Sequence, residues 1–120
     1  MGNKVLVIDD DEDICNLVRM ALENKGMIVR SAFTGEEGIK AAEEFAPDVI
    51  LLDHRLPDMI GTETAKKIKA TSAGKNAFIV LMTGDVTNER DIEPGIFMGT
   101  LTKPFKLSDM VDYVKKIMDK

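Results

Sequence analysis

The chain has 120 residues, 16 of them basic and 21 acidic, for a net charge of −5. That is the size of one compact domain, without the basic footprint that nucleic-acid binding requires or the aromatic content that base stacking would use. With 44% hydrophobic and 31% charged residues it is not a disordered chain, and no apolar run is long enough to span a bilayer.

Short apolar runs alternate with helical periodicity along the chain, the signature of parallel βαβ units. Residues 5–8 read as the first strand and start so early that no secretory leader is visible. Ile14, Leu17, Val18, Ala21 and Leu22 then mark one helix face, with Gly26 as its C-cap. The only cysteine, Cys15, cannot form an internal disulfide, so a reducing, cytoplasmic setting is expected. Residues 27–29 read as the second strand. Gly38, Ala41, Ala42 and Phe45 mark the second helix, stopped by Pro47. The third strand, 49–52, and the fourth, 78–82, are continuously apolar, as strands covered on both faces are. Ala65 and Ile68 mark a short helix between them, ending before Gly74. Residues 86–93 are polar and end in Pro94-Gly95, so the fourth helix is expected to be short or distorted. A weaker fifth strand covers 99–101. Leu107, Met110, Val111, Val114, Ile117 and Met118 mark the last helix. No linker or repeat interrupts residues 1–120, which read as one domain: a single doubly wound α/β sheet of five parallel strands with five helices and right-handed crossovers.

In such a sheet ligands bind beyond the carboxyl ends of the strands. The first strand runs into Asp9-Asp10-Asp11, the third into Asp53, the fourth into Thr83 and the fifth into Lys103-Pro104. Asp9, Asp10 and Asp53 should therefore converge, with a hydroxyl and an ammonium beside them. Two unit charges about 4 Å apart repel by roughly 4 kcal/mol at an effective dielectric of 20. Either a carboxylate protonates or a cation sits among them. A few hard oxygen ligands suit Mg²⁺, and a carboxylate beside that metal can attack phosphorus. Each residue also has a plainer use: Asp10 or Asp11 as a helix N-cap, Asp53 and Thr83 as strand-end turn residues, Lys103 as a solvated lysine. Their joint placement on one rim favours the chemical use.

These stretches also carry a resemblance. Val7-Ile8-Asp9-Asp10-Asp11, Pro47 through Asp53, Leu56-Pro57-Asp58 with Gly61, Met82-Thr83-Gly84 and Lys103-Pro104-Phe105 resemble, in this order and spacing, the response-regulator receiver family. The resemblance implies the flavodoxin-like strand order 2-1-3-4-5 and a role for each rim residue. Asp53 would be the phosphoacceptor. Asp10, Asp53 and the backbone carbonyl of Arg55 would hold Mg²⁺, with Asp9 acting on the metal directly or through water. Lys103 would pair with the phosphoryl group and Thr83 would be the switch hydroxyl. The Lys103–Pro104 bond would be cis. The phosphoryl donor would be a sensor histidine kinase or a histidine phosphotransfer protein, and phosphorylation would switch the conformation seen by a downstream partner or output domain.

The chain departs from the family pattern at Thr100, which replaces the usual aromatic three residues before the lysine, in the poor fourth helix, and at Ile60. Arg55 and Asp85 each lie two residues beyond a rim residue and are expected to face each other over the site. His54, the only histidine, is expected to be packed on the other side of the sheet. Three rivals are a Mg²⁺-dependent aspartyl-nucleophile phosphatase, a flavin carrier of the same fold, and a degenerate receiver acting as a docking module. Arg55 stands where such a phosphatase needs a second acid, and the acids after the first strand would repel a flavin phosphate. Thr100 is what favours the docking module. The chain is therefore expected to catalyse only its own phosphorylation and slow dephosphorylation, without binding nucleic acid or membrane itself.

Overall fold

The computed structural model describes residues 2–84 and 95–119. Five parallel strands, β1 (Lys4–Ile8), β2 (Ile28–Ala32), β3 (Val49–Asp53), β4 (Phe78–Thr83) and β5 (Gly99–Thr102), form one sheet in the order β2-β1-β3-β4-β5. That is the order the resemblance implied. Four helices pack on it among the described residues: α1 (Glu12–Glu23), α2 (Gly35–Phe45), α3 (Gly61–Lys69) and α4 (Leu107–Met118). The helix expected over 86–93 lies outside the described residues.

The central strands are apolar on both sides because both faces are covered, and their alternation sorts the side chains into two cores. Val5, Val7, Val49, Leu51, Val80 and Met82 join Cys15, Val18, Leu22, Met110, Val114 and Ile117 on one face. Leu6, Ile8, Ile50, Leu52 and Ile79 join Ala41, Ala42, Ala65 and Ile68 on the other. Burying one such aliphatic side chain is worth about 1.5–3 kcal/mol, so the two layers clamp the strands and fix where their ends fall.

Two expectations need correction. The second strand runs over Ile28–Ala32 and not 27–29. It is an edge strand with alternating exposed and inward residues, so polar Arg30 and Ser31 belong to it although they end the apolar run. In α1, Leu17 is 52% exposed, while Cys15 takes its place on the buried face beside Val18 and Leu22. Elsewhere the strands extend a residue or so beyond their apolar runs. Gly26 does cap α1, at φ 85°, with Gly26 N–H donating to the Glu23 carbonyl and Met27 N–H to that of Leu22.

Candidate functional site

Strand register brings the rim together. Ile8 pairs with Leu52, so Asp9 lies beside Asp53, the last residue of β3. Asp53 pairs with Met82 and Thr83 with Thr102, which puts Thr83 one step beyond Asp53 and Lys103 directly after Thr83's partner. The Lys103 N–H donates to the Thr83 carbonyl at 2.8 Å, and the Lys103–Pro104 peptide is cis.

The side chains converge as the register requires. One carboxylate oxygen each from Asp9, Asp10 and Asp53 fall within 4.8 Å of one another. Asp9 is fully buried and Asp53 is 9% exposed, whereas Asp10 faces solvent. Lys103 Nζ lies 2.7 Å from Asp9 Oδ2 and 3.4 Å from Asp53 Oδ1. The other Asp9 oxygen accepts the Asp11 N–H at 3.0 Å. Asp11 itself turns away and caps α1, accepting from the Asp13 and Ile14 N–H groups.

Burial raises the Asp53 pKa above its ordinary value, and the neighbouring Asp9 charge raises it further; Lys103 and the Arg55 backbone N–H pull the other way. Burial alone would lower the pKa of Lys103, but its bond to Asp9 and the charges of Asp53 and Asp9 outweigh that and leave it raised. Three carboxyl groups face one ammonium in the pocket. An all-oxygen donor set that is acidic in balance, opening to water through Asp10, fits a hard divalent cation such as Mg²⁺.

Two neighbours hold the acids from behind. Cys15 Sγ donates to the Asp9 carbonyl at 3.3 Å; burial, then Asp9, pushes its thiol up to about 11, so it is a packing residue rather than a nucleophile. Gly61 lets α3 start against the end of β3, since a Cβ there would sit 2.8 Å from the Asp53 carbonyl oxygen and 3.1 Å from His54 Cα. His54 is buried, as expected, and its N–H donates to the Met82 carbonyl. The Arg55 side chain is exposed, and Asp85, expected opposite it, lies outside the described residues. Thr100 is exposed on β5, beside Leu81. Sequence reasoning assigned no role to Asp58, whose carboxylate bonds the first turn of α2; the pairing spans 23 residues and leaves no local spacing to read.

Fold and rim together define a doubly wound α/β domain with an acidic, cation-seeking pocket at the carboxyl end of its sheet. The family of the response regulator receiver domain matches residues 5–115. The chain belongs to that family and is a receiver domain of two-component signal transduction, the class that takes a phosphoryl group from a phosphohistidine kinase and switches conformation. It is similar to the alkaline phosphatase synthesis transcriptional regulatory protein PhoP of Bacillus subtilis, 37% identical over 98% of this chain and 49% of that protein. The chain thus spans about half the length of that relative. Among solved structures, chemotaxis protein CheY4 of Vibrio cholerae superposes with a TM-score of 0.89 at 28% identity, covering 98% of this chain and 99% of that one. The beryllofluoride-activated DrrB receiver domain superposes at 0.86 with 29% identity over the whole of both chains. No described helix is long and apolar enough to cross a membrane.

Proposed function

We propose that Asp53 is the phosphoacceptor of this receiver, in a Mg²⁺ pocket formed by Asp9, Asp10, Asp53 and the backbone carbonyl of Arg55. The observation that carries this reading is the meeting of three carboxylates within 4.8 Å, with the Lys103 ammonium 3.4 Å from Asp53. Mg²⁺, when bound, supplies charge neutralisation for the oxygens of the incoming phosphoryl group. A carboxylate oxygen of Asp53 attacks phosphorus and forms the new O–P bond. The N–P bond of a phosphohistidine breaks, and the imidazole leaves with the electron pair. Lys103 pairs with an equatorial oxygen and Thr83, buried at the end of β4, offers its hydroxyl to another.

The new group carries about −1.5 to −2 charges. Lys103 is then drawn from Asp9 toward the phosphate, which biases the loops after β3 and β4. The donor is a sensor histidine kinase or a histidine phosphotransfer protein, and the switched surface is read by a downstream partner or output domain. The chain works as one receiver domain over residues 1–120 in the cytoplasm. It turns over no external substrate beyond its own phosphorylation and slow hydrolysis, because exposed Arg55 offers no general acid at the position a phosphatase would use.

The test is incubation with acetyl phosphate and Mg²⁺, read by intact-protein mass. Wild type gains one phosphoryl group, and Asp53→Asn or chelation of Mg²⁺ abolishes the gain. An unchanged wild-type mass, or equal labelling of Asp53→Asn, overturns the assignment.

A further inference from the structure

The loop between β3 and α3 is fastened to α2, a helix that supplies no carboxylate to the acidic pocket. Asp58 carries the fastening. The Gly35 N–H donates to its Oδ1 at 2.8 Å and the Glu36 N–H to its Oδ2 at 2.9 Å. A helix start leaves its first N–H groups without partners inside the helix. In α2, Thr34 serves one of them, its Oγ1 accepting from Glu37 N–H. Asp58, 23 residues away from Gly35, serves the two before it. These are charge-assisted bonds at a helix N-terminus, where a carboxylate is favoured, and the Gly35 and Glu36 N–H groups hold the Asp58 pKa below its ordinary value.

Packing reinforces the contact. At Gly35 a Cβ would come within 2.5 Å of Met59 Cγ and 2.9 Å of Thr64 Oγ1, so the loop lies directly on the helix start. From this tether the loop is cross-braced back to the acids. Leu56 N–H donates to the Met59 carbonyl at 3.2 Å and Gly61 N–H to the His54 carbonyl at 2.6 Å. Arg55 pairs with Ile60 in an antiparallel bridge, two residues beyond Asp53 at the end of β3.

We propose that Asp58 is a positioning residue for the acidic pocket: by tying the β3–α3 loop to the start of α2, it sets the Arg55 backbone against Asp53 and so sets the affinity for a divalent cation. The inference rests on the reading of Asp53 and Arg55 given above. A ligand-bearing loop that loses its supporting bond keeps its residues and loses their placement, which typically weakens metal binding about tenfold or more.

The experiment is a Mg²⁺ titration by calorimetry of wild type, Asp58→Ala, Asp58→Asn, Thr34→Ala and Asp53→Asn, at a temperature where circular dichroism shows all of them folded. Asp58→Ala is expected to weaken Mg²⁺ binding about tenfold. Asp58→Asn, which keeps one acceptor oxygen and loses the charge, falls between. Thr34→Ala removes a cap from the same helix without touching the tether, so it lowers stability and leaves Mg²⁺ affinity unchanged. Wild-type affinity in Asp58→Ala overturns the proposal, as does an equal loss in Thr34→Ala, which would make helix stability the cause. Asp53→Asn separates the two readings. If it abolishes binding while Asp58→Ala does not, the tether alone fails; if it binds Mg²⁺ like wild type, the pocket itself is misassigned and the tether fails with it.

Discussion

The two ends of this sheet use carboxylates in opposite ways. At the amino end Asp48 works alone: its Oδ2 accepts the Lys4 N–H at 3.0 Å, its own N–H donates to the Lys4 carbonyl, and its carbonyl accepts from Phe78 N–H. Nearby, the Lys4 ammonium donates to the Phe45 carbonyl and sits 5.4 Å from that ring's centroid. There one residue, through its carboxylate and its backbone, ties the starts of β1 and β4 to the residue before β3. At the carboxyl end three carboxylates crowd within 4.8 Å around one lysine. One acid at a strand end is a fastener; three are a source of repulsion that a cation relieves. The same residue type therefore contributes with opposite sign at the two ends, as stability–function trade-offs at active sites lead one to expect.

The largest effect should come from removing the Lys103 ammonium that pairs with Asp9 and Asp53. Lys103→Ala is expected to lose about 2 kcal/mol in Mg²⁺-free buffer, since it leaves buried acids without their counter-charge, and urea unfolding followed by circular dichroism measures it. Millimolar Mg²⁺ should restore part of that loss by binding the folded state alone. Next, Asp53→Asn should gain about 1 kcal/mol in Mg²⁺-free buffer by relieving repulsion, and should lose the stabilisation that Mg²⁺ gives wild type. A loss in Mg²⁺-free buffer would erase the contrast between the ends. At the amino end, Asp48→Ala should lose slightly under about 1 kcal/mol for an unpaired, partly buried N–H, with the Mg²⁺ increment unchanged.

The smallest effect is a slope with pH. The folded-state pKa of Asp53 is raised, so between 3.8 and that raised value the folded protein binds more protons than the unfolded chain, and the Asp53 contribution falls as pH rises through this window. Asp58 has a lowered pKa, so its contribution is present above 3.8 and is lost as pH falls through its folded value. Stability curves of Asp53→Asn and Asp58→Asn, each subtracted from wild type, should slope in opposite directions.

Much of this was legible in the sequence because it is written in short-range pattern. The continuous apolar runs of β1, β3 and β4 announce strands covered on both faces, and each ends on a residue of the rim, so Asp9, Asp53 and Thr83 could be placed from topology alone. Strand β2 was misread because an edge strand alternates, and Arg30 and Ser31 look like a loop to a reader of apolar runs. Leu17 was misread because helical phase distinguishes faces only coarsely, and small, buried Cys15 was the better marker. The tether of Asp58 to α2 was invisible because its two partners are backbone N–H groups, which any residue there would present.

The most direct test of the pocket is to locate the phosphoryl group. Borohydride reduction after treatment with acetyl phosphate and Mg²⁺ converts an acyl phosphate to an alcohol, which peptide mass spectrometry reads residue by residue. Homoserine at position 53, formed only when Mg²⁺ is present, is the predicted result; homoserine at position 9 or 10, or a Mg²⁺-independent signal at 53, would contradict it.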